Sequence, residues 1–301
     1  MNDDPPPPNL GPLSIGQCAA LATIFEATAP KPGNIHRGAD FADASYPDFV
    51  VAATVTAPIL NEAVALPLGQ TIFSAVTATR AAVETNTNLG TILLIAPLAK
   101  VPRTTPLVEG IAEVLAELTP QDARDVYQAI ALAKPGGLGR VKAADVSETP
   151  PQGLVAAMRL AADRDLVARQ YADNFHEVLA VVLPWLTESL ATGLTLADAI
   201  VHVHLRVMSE YPDSLIARRR GQDVAVQSAA RAAAVLAAGK PREPHYEDAL
   251  SDLDFWLRSD GHRRNPGTTA DLVAAGLFAA LRDGIIKPPF RLARLDDPLA
   301  L

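Results

Sequence analysis

The sequence predicts an all-α protein, a single compact domain of roughly a dozen helices joined by short connections. Three observations carry this. Apolar residues make up 49% of the 301 residues while aromatics make up only 5%, a small-aliphatic composition that suits close-packed helices better than β-branched and aromatic sheet. Apolar positions recur at three-and-four spacing in one segment after another. No convincing strand emerges, and no fixed-period repeat points to a solenoid.

Taken in order, Met1-Asn2-Asp3-Asp4 and the four prolines after it read as part of a disordered tail spanning residues 1–12, without the basic start or apolar centre of a signal peptide. The helical domain is expected over residues 13–284, with a C-terminal extension over 285–301. Ser14 can cap a first helix whose apolar stripe is Ile15, Cys18, Leu21, Ala22 and Phe25, ending near Pro30. Glu26 falls in its last turn, the unfavourable end of the helix dipole for an acid, which sets it apart from an ordinary surface glutamate. The turn Lys31-Pro32-Gly33-Asn34-Ile35-His36-Arg37 follows, dense in groups able to bind phosphate or metal. Ordinary surface charge accounts equally for Lys31 and Arg37, and a turn hydrogen bond for His36.

A helical pattern from Tyr46 to Leu66 is bent or broken at Pro58, and another runs from Leu68 to Val83. Thr85-Asn86-Thr87-Asn88-Leu89-Gly90-Thr91 then leads into a helix apolar on all sides. One of those residues suffices for a cap, so the surplus of amides and hydroxyls suggests ligand contacts. Thr105 to Leu118 is amphipathic, and Thr119-Pro120-Gln121-Asp122 opens the next helix. The glycine-rich run Lys134–Arg140 lacks the spacing of a Walker loop or dinucleotide fingerprint. Helix resumes after Pro151, and Asp165 to Leu190 reads as one long helix. On it Asp173 and His176 are three apart; a solvated face is the default for them. Thr195 caps a further helix carrying His202 and His204, which point in different directions. Tyr211 to Gly221 packs Asp213, Ser214 and the three arginines 218–220 into one turn region. Helices follow over Gln222–Ala238 and His245–Arg258. Asn265-Pro266-Gly267-Thr268-Thr269-Ala270-Asp271 then has the spacing of a capping box opening a final apolar helix. Free N–H groups at that helix start, with arginines just upstream, could hold a phosphate, although capping alone explains Thr268 and Asp271 equally well.

A net charge of −8 argues against a general nucleic-acid binder. The single cysteine, Cys18, excludes a disulfide framework or a cysteine metal cluster within one chain. The longest apolar runs are too short to span a membrane and carry Pro97 and Pro184. A soluble, cytoplasmic protein is expected, with no membrane and no nucleic-acid partner.

Taken together, Glu26–His36 (EATAPKPGNIH), Asn86–Thr91 (NTNLGT), Asp213–Gly221 (DSLIARRRG), Leu253–Leu257 (LDFWL) and Asn265–Leu281 (NPGTTADLVAAGLFAAL) resemble the triphosphoribosyl-dephospho-CoA synthase family. The resemblance implies an all-helical transferase that takes the triphosphoribosyl group of ATP to the 2′-hydroxyl of 3′-dephospho-CoA and releases adenine. Departures are visible. The chain has Asn88-Leu89-Gly90 where citrate- and malonate-pathway synthases show a histidine-lysine-glycine, and Asp213-Ser214-Leu215 where they show an aspartate-threonine-asparagine. It looks more like the archaeal and methylotroph branch.

Cleaving an N-glycosidic bond needs a carboxylate beside the sugar, an acid near the purine and cations for the triphosphate. On that basis Glu26, Asp213 and Asp254 are candidate catalytic carboxylates. Lys31, Asn34, His36, Asn86, Asn88, Thr91, Arg218, Arg219, Asn265, Thr268 and Thr269 are candidate substrate or phosphate ligands. Mg²⁺ is inferred on Asp213 and Asp271. ATP and a nucleotide-like acceptor such as dephospho-CoA are the expected partners, and a homodimer is compatible with the reading. Two alternatives stand beside it: a related pentosyl or nucleotide transferase for another coenzyme, such as a one-carbon-carrying pterin, and a non-enzymatic helical scaffold. The scaffold requires the polar motifs to scatter over the surface. A prenyl-type synthase is disfavoured by the lack of a DDxxD motif.

Overall fold

A computed structural model describes residues 11–133 and 153–293. Most of the proline-rich start and the whole glycine-rich run from Lys134 lie outside the described residues. Among the described residues are fourteen α-helices: α1 (Ile15–Thr28), α2 (Tyr46–Asn61), α3 (Leu68–Ala82), α4 (Leu89–Lys100), α5 (Leu107–Ala116), α6 (Pro120–Ala133), α7 (Leu154–Ala161), α8 (Leu166–Ala172), α9 (Leu183–Ala191), α10 (Leu196–Glu210), α11 (Ser214–Arg220), α12 (Gln222–Ala238), α13 (Pro244–Arg258) and α14 (Gly267–Arg282). A π-helical turn, Glu177–Val182, leads into α9, and a four-residue extended segment, β1 (Ser259–His262), follows α13. None of these helices is long and apolar enough to cross a membrane.

Two helices with apolar residues on every side, α4 and α14, form the centre, and α1, α3, α8, α9 and α10 pack around them. Nearly all of α14 beyond its first residue is buried, so its polar backbone ends have no water to turn to and must be satisfied by protein. The same demand appears inside α4. Pro97 has no N–H to give to the carbonyl four residues back, Leu93, and the buried Tyr171 hydroxyl donates to that carbonyl at 2.6 Å. At the far end of α4, the buried Arg282 donates to the carbonyls of Val101, Pro102 and Thr105.

Helix starts are closed by carboxylates that serve two helices at once. Asp122 accepts from Thr119 N and Oγ1 to open α6, and from Gly69 N at 2.8 Å at the start of α3. Burial raises the pKa of its carboxyl, but the donors from Thr119 and Gly69 outweigh this and the net shift is downward. Asp213 does the same more deeply in the core. Its Oδ1 accepts from Leu215 N and Ile216 N at the start of α11, while Oδ2 accepts from Thr269 N at 2.7 Å and Thr269 Oγ1 at 2.8 Å in the first turn of α14. The capping box expected between Thr268 and Asp271 therefore does not form. A carboxylate from another helix supplies the cap, and Asp271 is left for a different partner.

The long helix expected over Asp165–Leu190 is broken. Asn174 and Phe175 have positive φ of 50° and 60°, and the Gln170 side chain bridges the break, donating to Leu166 O and Glu177 Oε2 and accepting from Val178 N. Full burial of Phe175 at this bend repays the strained backbone. Asp173 and His176 are both exposed at the break, as the solvated-face default had it. The segment after α14 folds back onto the body: Phe290 meets Phe25 edge-on at 5.0 Å, and Arg291 and Leu292 carbonyls accept from Leu196 N and Ala197 N at the start of α10.

Asp213 is thus predicted to act on stability. Asp213→Ala removes caps from two helices and leaves buried N–H groups without partners, and should cost about 2–4 kcal/mol. Urea unfolding followed by far-UV circular dichroism measures the loss.

Candidate active site

Four of the five segments meet around one cavity of about 800 Å³, and the fifth, Leu253–Leu257, stands behind its wall, where Asp254 and Leu257 hold Gly33. Its wall takes Glu26 from the last turn of α1, Asn34 and Phe41 from the α1–α2 connection, and Thr85–Thr91 from the start of α4. Arg218 and Arg219 come from α11, His262 from β1, and Asn265, Thr268 and Asp271 from the start of α14. Side-chain bonds tie these segments together. Asn34 Nδ2 donates to Asn265 Oδ1 at 2.8 Å, and Thr91 Oγ1 donates to Asp271 Oδ1 at 2.8 Å. Arg219 donates to the His262 carbonyl at 3.0 Å, and Ser214 Oγ to Thr268 Oγ1 at 3.0 Å.

Two glycines are required by close approach. Gly33 adopts φ +69° with Leu257 packed where a Cβ would stand, and its N–H donates to Asp254 at 2.7 Å. Gly90 lies so close to Asp271 that a Cβ would stand 2.0 Å from Asp271 Oδ2. The glycine lets α4 and the Asp271 carboxylate share one edge of the cavity.

The expected site residues divide into two groups. Glu26, Asn34, Asn86, Asn88, Thr91, Arg218, Arg219, Asn265, Thr268 and Asp271 line the cavity. Lys31, His36, Asp213, Asp254 and Thr269 do not, and each has a physical reason. Lys31 is fully buried, donates to the carbonyls of Glu26 and Ala29 and forms an ion pair with the Glu26 carboxylate. Burial, with Arg258 and Lys31 nearby, pulls the His36 pKa down to about 4, and its Nδ1 accepts from Gly38 N, so it brings no positive charge at neutral pH. Asp254 holds the Gly33 N–H and pairs with Arg258. Asp213 and Thr269 are saturated by the double cap. The four donors on Asp213 also leave no oxygen lone pair for a magnesium ion. Among the described residues no three His, Cys, Asp or Glu side chains gather as a protein-only metal set. Of the two carboxylates expected to hold Mg²⁺, Asp271 alone reaches the cavity.

Other lining residues were not singled out from sequence. Asp165 caps α8 through Val167 N and Ala168 N and forms an ion pair with Arg218. The Asp165 cap is legible as a helix start, but its pairing with Arg218 depends on a contact across 53 residues. Arg80, Asp43, Arg164 and the apolar side formed by Tyr127, Ile130, Ala157 and Met158 carry no local signal at all. Of the arginine triplet, Arg218 and Arg219 face the cavity while Arg220 pairs with Asp260 at 2.8 Å.

The electrostatics are asymmetric. The first residues of α4 and α14 line the wall, so two helix starts with their partial positive charge border the same space as Arg218 and Arg219. Against them stand Glu26 and Asp271. Burial, reinforced by the charges of Glu26 and Asp213, pushes the Asp271 pKa up to about 8 despite the Thr91 hydrogen bond and Arg218. A carboxyl whose folded pKa lies above its unfolded value near 4 binds the extra proton only in the folded state. Its contribution to stability is present at low pH and is lost as the pH rises toward 8. Wild type should therefore lose more stability than Asp271→Asn between pH 5 and pH 8, measured by thermal unfolding of both proteins across that range.

The comparisons agree with this geometry. A profile of the ATP:dephospho-CoA triphosphoribosyl transferase family matches residues 12–288. The fold is similar to a crystal structure from Archaeoglobus fulgidus, assigned provisionally as a triphosphoribosyl-dephospho-CoA synthase. The TM-score is 0.60 at 25% sequence identity, over 77% of this chain and 98% of that one. No curated protein matches the chain. With a cavity built from the family's own segments and a match across nearly the whole sequence, the chain belongs to the ATP:dephospho-CoA triphosphoribosyl transferase family.

Proposed function

We propose that this cavity transfers the triphosphoribosyl group of ATP to the 2′-hydroxyl of 3′-dephospho-CoA in the cytoplasm. The bond from ribose C1′ to adenine N9 breaks, a bond from C1′ to the acceptor oxygen forms, the acceptor hydroxyl gives its proton to a base, and the departing adenine takes up one proton in turn, so that no net proton is released. The observation that carries the reading is the convergence of four polar segments, far apart in sequence, on one cavity. A helical scaffold has no use for such convergence.

The residues divide naturally between the two jobs. Arg218, Arg219, Asn265, Thr268 and the start of α4 offer cationic, hydroxyl and N–H groups to the triphosphate. Asn34, Asn86, Asn88 and Thr91 offer amides and a hydroxyl to ribose or base. Of the three carboxylates considered for the acceptor proton, only Glu26 reaches the cavity, so the role of base falls to it. Magnesium would arrive with the triphosphate and meet Asp271, the phosphates completing its oxygen shell and lowering the charge the protein must offset.

The acceptor is the more variable element. Leu89 and Leu215, where citrate- and malonate-pathway synthases carry lysine and asparagine, both line the cavity. That favours a second reading, in which the donor half is kept and the acceptor is another coenzyme precursor, such as a one-carbon-carrying pterin. Incubation with ATP, Mg²⁺ and either acceptor, followed by chromatography for free adenine, separates the two. Adenine release dependent on dephospho-CoA is expected; no release with any acceptor defeats both readings. Gly90→Ala should slow release about tenfold or more by displacing Asp271, while thermal stability stays near that of wild type.

A further inference from the structure

The most deeply buried lysine or arginine among the described residues stands behind the cavity rather than in it. Lys31 is fully buried, and its Nζ has three oxygen neighbours: the Glu26 carbonyl, the Ala29 carbonyl at 3.2 Å and Glu26 Oε1 at 3.0 Å. Two N–H groups would serve the two carbonyls, and it is the carboxylate oxygen at 3.0 Å beside them that suits the charged ammonium. The two carbonyls belong to the end of α1, where the helix dipole is negative and the last C=O groups need donors. Pro30 and Pro32 flank the lysine, and Lys31 N donates to Ala29 O at 2.7 Å, a tight turn that folds the side chain back under its own helix. Glu26 Oε1 has no aligned hydrogen-bond donor, which makes the Lys31 charge its main support.

The structure assigns Lys31 the part of a positioning residue: we propose that it holds Glu26 as an oriented carboxylate on the cavity wall, and that it does not bind phosphate. The inference rests on the proposed transfer reaction, in which Glu26 takes the acceptor proton. The other charged and titratable groups around the pair fit this. Burial pushes the Glu26 carboxyl up and pulls the Lys31 ammonium down, each opposed by its partner. Arg258 adds positive charge, His36 and the fully buried His204 are neutral at pH 7, and Asp271 lies across the cavity edge. Only Lys31 is in contact with the Glu26 carboxylate among the cations of the described residues.

Three variants test this: Glu26→Gln, Lys31→Met and Glu26→Gln/Lys31→Met. The double variant leaves no unpaired buried charge and so guards against simple misfolding. Single-turnover adenine release should fall about 100-fold or more in each single variant. Adding Lys31→Met to Glu26→Gln should cost no further rate and leave ATP affinity, measured by calorimetry, within about threefold, because a residue acting through another has nothing left to act on. Thermal stability should recover in the double variant relative to Lys31→Met. A tenfold or greater drop in ATP affinity from Glu26→Gln to the double variant would mark Lys31 as a phosphate ligand and overturn the inference, as would wild-type rates in Lys31→Met. Absence of adenine release from wild type counts against the proposed reaction alone. The positioning claim is then read from ¹³C NMR: Lys31→Met must raise the pH at which Glu26 takes up its proton, and an unchanged midpoint overturns it.

Discussion

Burying the ends of helices imposes the constraint on which the rest of this structure depends. An α-helix leaves N–H groups unmatched at its start, and here the starts of α3, α6, α8, α11 and α14 are brought into or beside the core. Asp122, Asp165 and Asp213 answer that demand, and each does a second job: Asp122 and Asp213 cap a second helix, while Asp165 pairs with Arg218. The double use is economical because a carboxylate has two oxygens and about four acceptor positions. It also explains why α11, only seven residues long, is stable where it stands. Its first turn is joined to that of α14 through one side chain.

This constraint sorts the acids of the chain. Asp213 and Asp254 hold backbone, while Glu26 and Asp271 reach the cavity, one beside a buried ammonium and one beside a threonine hydroxyl. The cations are sorted in parallel. Lys31 turns inward, Arg220 and Arg258 brace their neighbours, and Arg218 and Arg219 border the open space. A chain with net charge −8 can still present a local positive edge, because two helix starts add to the guanidinium groups.

Much of this was legible in the sequence, for identifiable reasons. Helical periodicity and caps such as Ser14, Thr119 and Thr195 are local signals, and the helices they announce are present. The convergence of Asn86–Thr91 with Asn265–Asp271 and Arg218–Arg219 could be expected from their residue types. What could not be read was direction. Thr268 to Asp271 has the letters of a capping box, yet Asp213, more than fifty residues earlier, occupies that place, because a long-range carboxylate can outcompete a local one once the helix is buried. Lys31 looked like a phosphate ligand because lysine in a glycine turn so often is one; the two prolines beside it instead fold it under α1. The break after Ala172 had no glycine or proline to announce it, only Phe175 and its need for the core.

The pairing of Arg218 with Asp165 has a consequence for what the cavity admits. Asp165 takes one of the guanidinium's five N–H donors and part of its charge, while Nε keeps no hydrogen-bond partner among the described residues. An anion at this edge therefore meets a partly neutralised cation with donors to spare. An anion with a single weak charge gains little beside that carboxylate, while a chain of phosphates reaches several donors at once. Asp165 keeps its hold on the start of α8 through its other oxygen throughout. A polyphosphate is thus better matched to this edge of the cavity than a singly charged anion.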